Sequence, residues 1–311
     1  MFIIALWLAL QSQPQAPVSP QVKPGWQWTD AEIKTAANRI RAGKSLKPAS
    51  WPNNSRVAVA LSFDFDNDKL QYRSGEPSPG PVSQGEYGAR VGLTRVLATL
   101  DKYQIPATFF IPSVSMMLYP ESITAIRKSG RHEVGIHGWI HELNSTMPED
   151  DERALMRKAV DYYYKVFGKK PIGYRAPSWN FSPSTLKLLR EFGILYDSSL
   201  MSDDSPYEIN VDGRPTGMVE LPVEWILDDA PFNGTSGTAT RYSPPRDVLQ
   251  VYIDEFDKAF EEGGLFILTN HPHIIGHRSR IIILEKLVEH MLEKGSVWFA
   301  THEQVYRYVK K

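Results

Sequence analysis

From residue 56 onward, the sequence alternates between short apolar runs and longer segments whose apolar residues recur at helical spacing. The run at 56–63, Arg-Val-Ala-Val-Ala-Leu-Ser-Phe, is almost wholly apolar, as expected of a central strand buried on both faces. Such alternation indicates βα units and a largely parallel sheet. We count about seven or eight units, which favours an α/β fold of the distorted or incomplete (β/α) barrel type over an open doubly wound sheet.

The predicted elements follow one another regularly, apart from three irregular segments. They are helices at 88–102, 120–129, 150–167, 183–191, 245–261, 279–293 and from about 302, and strands at 107–112, 133–137, 172–175, 194–197, 219–223, 265–270 and 297–300. Residues 69–87 carry Gly and Pro without periodicity and are predicted as a long loop, which in a compact domain is more often functional than idle. Residues 201–217 and 228–243 are polar and rich in Gly and Pro, so they are also predicted to be irregular.

The chain is predicted to have three parts. Residues 1–23 combine an apolar run at 2–10 with a Gln-, Pro- and Ser-rich stretch typical of a disordered linker. The run is too short to span a bilayer and fits an atypical secretory signal, so we expect export to the periplasm or cell envelope, with a cytoplasmic location as the alternative. Residues 24–55 are predicted to be a helical extension, and 56–311 the catalytic domain.

Charge and cysteine content exclude several classes of function. The chain has 35 basic and 36 acidic residues, a net charge of -1, and therefore no electrostatic case for binding nucleic acid or an anionic membrane. It contains no cysteine, which excludes disulfides, thiolate metal sites and a cysteine nucleophile. Any metal must therefore be held by His, Asp or Glu.

Polar residues suited to metal and acid–base chemistry lie at predicted strand ends. His137 and His141 are four positions apart, so both imidazoles can reach one divalent ion, although eight histidines make such a spacing possible by accident. Asp64 and Asp66 follow the first strand and would share a face, one binding the metal and the other acting as base. Carboxyl ends of strands in an α/β barrel meet at one mouth, where these groups would converge.

Three further residues complete the predicted site. His271 ends an apolar strand and is the candidate proton donor for a leaving amine. Arg175 could hold the base carboxylate, and Asp197 could orient His271. Taken alone, a strand-end Asp is more often a helix cap, and a lone Arg is more often a surface residue.

Five motifs in order resemble those of the polysaccharide deacetylases, the NodB-homology proteins of carbohydrate esterase family 4. They are Phe63-Asp64-Phe65-Asp66, His137-Gly138-Trp139-Ile140-His141, Arg175-Ala176-Pro177, Asp197-Ser198-Ser199 and Thr269-Asn270-His271-Pro272. The resemblance spans about 56–308 and is more specific than any one motif.

The resemblance implies a role for each matching residue. Those roles are metal binding by Asp66, His137 and His141, base catalysis by Asp64, acid catalysis by His271, tuning of Asp64 by Arg175 and of His271 by Asp197, and an oxyanion donor at the backbone N–H of Ser178. Trp139, Trp179 and Glu86 are further candidates for substrate contact. The expected cofactor is one divalent metal, Zn²⁺ first, with Co²⁺, Ni²⁺ and Mn²⁺ also suited to a His/His/Asp set.

Some details resemble one branch of that family. Phe65 separates the two aspartates that many members have adjacent, and the segments at 84–90 and 220–223 resemble peptidoglycan-deacetylase-like proteins, cyclic imide hydrolases and allantoinase relatives. That branch implies a covered site and a homo-oligomer, a dimer or tetramer. The resemblance therefore leaves two substrates open, an N-acetylated glycan such as peptidoglycan and a small cyclic imide or ureide, beside a non-catalytic glycan-binding protein as a further alternative.

Overall fold

The structure, a computed structural model, describes residues 23–67, 72–75, 77–233 and 242–311. Within these ranges one ten-stranded mixed sheet curls into an incomplete barrel, which confirms the predicted fold class. Its strands are β1 (Arg41–Ser45), β2 (Val57–Asp64), β3 (Thr108–Ile111), β4 (Glu133–Ile136), β5 (Gly173–Tyr174), β6 (Tyr196–Asp197), β7 (Tyr207–Val211), β8 (Arg214–Glu220), β9 (Leu265–Asn270) and β10 (Val297–Phe299).

Strand β2 is the centre of the sheet. It pairs in parallel with β9 along most of its length, with β10 over its first half and with β3 over its second half. Parallel pairing continues through β3, β4, β5, β6 and β8, and β7 and β1 then add antiparallel strands at the edge. Among the described residues, only a parallel bridge from Asp228 to Thr269 spans the gap between the end of β8 and β9.

Helices surround this sheet and supply its outer layer. They are α1 (Asp30–Asn38), α2 (Pro79–Tyr87), α3 (Leu93–Tyr103), α4 (Ser113–Leu118), α5 (Pro120–Arg127), α6 (Glu149–Phe167), α7 (Thr185–Glu191), α8 (Asp229–Asn233), α9 (Pro245–Glu262), α10 (Pro272–Ile275), α11 (Ile281–Lys294) and α12 (His302–Val309). None of the helices in the described ranges has the length and apolar character needed to cross a membrane.

The side chains of β2 alternate between two buried layers. Large residues pack into the core shared with the helices, namely Val57, Val59, Leu61 and Phe63. Small ones, Ala58 and Ala60, belong to the second cluster, which fills the barrel interior. By the same alternation Ser62 and Asp64 face the interior, so one strand supplies packing at its floor and a carboxylate at its mouth.

The N-terminal extension is part of the sheet. Within the predicted extension at 24–55, helix α1 begins at a capping box between Thr29 and Glu32. Strand β1, which was not predicted, pairs with β7. Trp51 then lies 2% exposed beneath the barrel, against Trp298 and Tyr308. The predicted signal and linker at 1–23 lie almost wholly outside the described residues.

Two segments predicted to be irregular are ordered elements. Part of the loop predicted at 69–87 is helix α2, which starts with Pro79 and Pro81 in its first turn, where a missing N–H costs no helical hydrogen bond. The stretch predicted as irregular at 201–217 contains β7 and most of β8, a hairpin whose polar outer face hid its period. Both predictions were wrong because weak local periodicity was overridden by packing.

Candidate active site

The predicted site residues meet at the carboxyl ends of the parallel strands. Asp64 is the last residue of β2, His137 directly follows β4, Arg175 follows β5, and His271 follows β9. Each is buried. The convergence expected from strand order is therefore present.

Asp66, His137 and His141 form a compact set of metal-ligand donors, with their ligand atoms within 4.8 Å of one another. The Nε2 atoms of His137 and His141 lie 3.5 and 3.6 Å from the two carboxylate oxygens of Asp66. His137 Nδ1 lies 2.8 Å from the carbonyl oxygen of Arg175, so Nδ1 donates there and the Nε2 lone pair faces Asp66. Two nitrogens and a carboxylate oriented in this way fit a divalent cation such as Zn²⁺.

A tight loop, rather than a helical turn, sets the spacing of the two histidines. Gly138 has φ +71° and His141 has φ +57°, both in the left-handed region. The carboxylate of Glu142 accepts backbone hydrogen bonds from Trp139 at 3.0 Å and from Ile140 at 2.8 Å. Glu142 thus caps the loop that carries His141, and it is an orienting group of a kind common around metal ligands.

The candidate base is paired with a fully buried guanidinium. Arg175 Nη1 donates to Asp64 Oδ1 at 2.9 Å and to Ser62 Oγ at 2.8 Å. Its other nitrogens donate to the carbonyl and hydroxyl oxygens of Ser198, and Nη2 lies 3.4 Å from His302 Nε2. Asp64 Oδ2 points the other way, 3.6 Å from His137 Nε2.

The candidate acid is paired with two buried carboxyl groups. His271 Nδ1 lies 2.7 Å from Asp229 Oδ1 and 3.6 Å from Asp228 Oδ1. Burial lowers the pKa of His271, but Asp228 and Asp229 outweigh it and raise that pKa to about 10. Burial also raises the pKa of Asp228 to about 7 and that of Asp229 above its usual value, each against the pull of His271. The imidazole therefore carries two protons at neutral pH, and its Nε2 lies 3.5 Å from Asp66 Oδ2.

The structure corrects the partner predicted for His271. Asp197, predicted to orient it, instead accepts a hydrogen bond from Ser199 and lies in register with Glu220 on the neighbouring strand. Strand β8 separates β6 from the gap that precedes β9, so Asp229 is the carboxylate that reaches His271. Asp228 and Asp229 were not predicted as site residues, because they begin a stretch predicted to be irregular, and two adjacent acidic residues were the only signal.

The residues predicted to contact the substrate lie in different surroundings. Ser178 and Trp179 follow Arg175 with φ +52° and +50°, a strained conformation for residues other than glycine. Trp179 packs against Trp225 with ring centroids 4.1 Å apart. Trp139 lies under the ammonium of Lys158, 4.0 Å from its ring centroid.

Glu86 pairs locally with Arg90 at 3.3 Å on α2 and the turn that follows it, which places it among surface partners. That turn is a π-helical segment, Gly88–Gly92, and it packs tightly against the segment after His271. A Cβ on Gly92 would lie 2.0 Å from the carbonyl oxygen of Pro272, so only glycine fits. The α2–α3 region thus supports the acid side of the site.

Known proteins resemble the chain over most of its length. A model of the family Polysaccharide deacetylase matches residues 84–196. The peptidoglycan deacetylase of Helicobacter pylori is 33% identical over 276 residues, which cover 80% of this chain and 94% of that protein. A crystal structure of a Mycobacterium smegmatis protein assigned as a polysaccharide deacetylase is 35% identical, with a TM-score of 0.79 and coverage of 87% of this chain and 95% of that one.

The crystal structure of Puue allantoinase is 25% identical, with a TM-score of 0.72 and coverage of 83% and 91%. The family is metal-dependent and hydrolyses carbon–nitrogen bonds, for which the buried Asp66, His137 and His141 set is suited. Sequence identity and coverage of the Helicobacter pylori protein, together with this fold and site, show that the chain is a member of the polysaccharide deacetylase family.

Proposed function

We propose that the protein removes the acetyl group from an N-acetylated glycan such as peptidoglycan, in a metal-dependent reaction. The observation that carries this proposal is the placement of a base and an acid on either side of the metal ligands Asp66, His137 and His141. Asp64 Oδ2 lies 3.6 Å from His137 Nε2, and His271 Nε2 lies 3.5 Å from Asp66 Oδ2. Hydrolysis of an amide needs both groups, one to take a proton from water and one to give a proton to nitrogen.

Asp66, His137 and His141 would hold the divalent cation, for which we propose Zn²⁺, with Co²⁺, Ni²⁺ and Mn²⁺ also suited to these donors. When bound, the cation supplies Lewis-acid polarisation of the amide carbonyl and acidifies water. Asp64, held by Arg175 through Oδ1, accepts the proton of the attacking water on Oδ2. The backbone N–H of Ser178 stabilises the oxyanion, in the position that its strained loop provides.

His271 completes the reaction. Its Nε2 proton passes to the leaving nitrogen as the C–N bond breaks, which releases acetate and a free amine. Asp229 keeps Nδ1 protonated and fixes the ring, so Nε2 is the nitrogen that gives up its proton. The Trp179–Trp225 pair, of which Trp225 is 43% exposed, offers an aromatic surface on which a sugar ring can stack.

A small cyclic imide or ureide is the second candidate substrate, and burial favours it. The side chains of the ligands and of the acid–base pair are between 1 and 10% exposed, which admits a small ring or an acetamido group more readily than a polymer backbone. The likeness to an allantoinase structure points the same way. Both candidates use the same residues for C–N hydrolysis.

The deciding experiment measures two products from the Zn²⁺-loaded protein. Acetate release is assayed with N-acetylglucosamine oligomers and peptidoglycan, and ring opening with allantoin, hydantoin and succinimide, with an Asp64→Asn variant of equal metal content as control. Acetate release that the variant lacks supports the proposal. Ring opening alone transfers it to the second candidate, and glycan binding without turnover by the wild type would make this a binding protein.

We also propose export and homo-oligomer formation. The apolar run at 2–10 supports export, and so does the resemblance to a peptidoglycan deacetylase, because peptidoglycan lies outside the cytoplasmic membrane. Cell fractionation of the full chain beside a variant with two charged residues in that run tests export. Light scattering of the purified protein tests for a dimer or tetramer, and a monomer would contradict it.

A further inference from the structure

Two buried carboxyl groups, Asp197 and Glu220, lie together at the barrel mouth and have no part in the reaction described above. They end the neighbouring parallel strands β6 and β8 and are paired in register. Both residues are 0% exposed. Two acidic side chains in such a position would repel each other strongly if both were ionised.

Other donors occupy one oxygen of each carboxyl group, and the two groups also interact with each other through a side-chain hydrogen bond. Asp197 Oδ1 accepts from Ser199 Oγ at 2.8 Å, and Glu220 Oε1 accepts from the backbone N–H groups of Ser199 and Leu200 at 2.8 and 3.0 Å. The remaining oxygens, Asp197 Oδ2 and Glu220 Oε2, are buried and receive no donor from the described residues. One proton between them satisfies both, as it does in other close carboxyl pairs.

The electrostatics assign that proton to Glu220. Burial raises the pKa of Asp197 to about 6. Burial, and then the charge of Asp197, raise the pKa of Glu220 well above its usual range. The other titratable groups facing the pair are Tyr174 on β5, Arg175 directly after β5, and Tyr207 on β7.

Asp197 and Glu220 fix Ser198 and Ser199, which in turn bond Arg175 and the loop that contains Ser178. Arg175 donates from Nε to the carbonyl oxygen of Ser198 at 3.0 Å and from Nη2 to its hydroxyl at 2.9 Å. The backbone N–H of Ala176, which begins the strained loop containing Ser178, donates to Ser199 Oγ at 2.8 Å. Ser199 can accept there because its own proton goes to Asp197.

We infer that Asp197 and Glu220 share one proton and together position Arg175 and the loop at 176–178 for the hydrolysis proposed above, on which this inference rests. We class neither residue as catalytic, because both act through Ser198 and Ser199 and not on the substrate or on the metal ligands Asp66, His137 and His141. Asp197 acts on the base side of the site through Ser198 and Ser199. The role differs from the tuning of His271 that its motif suggests.

Two substitutions at Glu220 test the inference. Glu220→Gln keeps the shape, and its amide can donate to Asp197 and accept from Ser199 and Leu200. Glu220→Leu removes both functions. We expect Glu220→Gln to keep kcat within about threefold of wild type, and Glu220→Leu to lower kcat about 10- to 100-fold with little change in KM, because misplaced catalytic groups lose rate rather than binding.

A matched pair at Glu152 separates positioning from stability. Its buried carboxylate accepts hydrogen bonds from Ser182 and Thr185, at 2.6 Å each, between α6 and α7. Glu152→Gln and Glu152→Leu should lower the unfolding temperature without lowering kcat, when assays are run well below that temperature and at equal metal content. Equal losses of kcat at both sites would overturn the inference.

The shared proton has its own readout, which needs no substrate. Because the folded pKa of Glu220 lies above its unfolded value, its contribution to stability is complete at low pH and is lost as pH rises. The unfolding temperature of wild type should therefore fall relative to Glu220→Gln as pH rises above about 4.5, the usual pKa of a glutamate in the unfolded chain. If the difference in unfolding temperature between wild type and Glu220→Gln does not change with pH, the shared proton is refuted, whatever the outcome for the deacetylase proposal. If Glu220→Leu does not fold, this comparison tests the inference by itself.

Discussion

The two sides of the metal-ligand set support their catalytic groups with opposite charges. On the base side, the carboxylate of Asp64 is paired with one buried guanidinium, that of Arg175. On the acid side, the imidazole of His271 is paired with two buried carboxyl groups, those of Asp228 and Asp229. The negative charge of Asp64 suits it to accept a proton, and the positive charge of His271 suits it to donate one.

The difference in construction matters as much as the difference in charge. The base side is built on β2 and β5. Arg175 also donates to the hydroxyl of Ser62 on β2 and to the hydroxyl and carbonyl oxygens of Ser198 after β6, so it links three strands. The acid side is built on Asp228 and Asp229, which lie at and directly after the isolated bridge to β9. Damage to the base side should therefore reduce stability, whereas damage to the acid side should mainly change pH dependence.

The largest expected effect is on the base itself. Asp64→Asn should lower kcat by about 10²- to 10⁴-fold, the usual range for losing a general acid or base. Metal content should stay at the wild-type level, because Asp66, His137 and His141 are unchanged. Steady-state kinetics and elemental analysis of the same sample check both points. Activity within tenfold of wild type would remove Asp64 from its role.

The base side can next be tested through its guanidinium. Arg175→Met should lower the free energy of unfolding by about 3–5 kcal/mol, because it leaves a buried carboxylate without its partner. Urea denaturation measures the change. Arg307→Met is the control, since Arg307 is 61% exposed and pairs with Glu303 on the surface, and it should change the free energy of unfolding by less than about 1 kcal/mol. Similar losses for both variants would contradict the structural role of Arg175.

The acid side should respond differently. Asp229→Asn removes a charge that holds the pKa of His271 near 10, so the imidazole should lose its proton at lower pH. We expect the alkaline limb of the kcat/KM profile to move to lower pH and the maximal value to fall about 10- to 100-fold. Ser62→Ala, which removes one hydrogen bond of Arg175 but no charge near His271, should leave that limb in place. An unmoved limb in Asp229→Asn would refute the pairing.

The smallest effect concerns the imidazole behind Arg175. Burial lowers the pKa of His302 well below its usual range, and the charge of Arg175 acts in the same direction. The folded protein therefore keeps His302 neutral while the unfolded chain protonates it, so stability falls as pH drops below about 6.5. His302→Gln should flatten that fall by about 2 kcal/mol between pH 7 and pH 5, measured by urea denaturation. An unchanged slope would mean that His302 does not set the acid sensitivity.

The same comparison explains what the sequence could predict. Asp64, His137 and Arg175 end or directly follow regular strands, and apolar runs locate such strands well, so the base side and the ligand set were predicted together. Asp229 lies at the start of a stretch without periodicity, so its approach to His271 depends on a bridge that no local pattern encodes. For Asp197, the sequence shows which strand it ends but not that Glu220 lies beside it on the neighbouring strand, and Asp197 was therefore wrongly paired with His271.

The tryptophan beneath the barrel has a consequence for shortened forms of the chain. Trp51 precedes the catalytic domain predicted from sequence, yet it is buried against Trp298 and its indole N–H donates to the carbonyl oxygen of Gly263 at 3.2 Å. Burying roughly 200 Å² of tryptophan contributes about 5 kcal/mol at about 25 cal/mol per Å², which is the scale of a domain's whole stability. An expression clone that starts at residue 56 would lack Trp51 and its packing beneath the barrel. The segment before residue 56 contains no catalytic residue, yet it would then decide whether soluble enzyme is obtained.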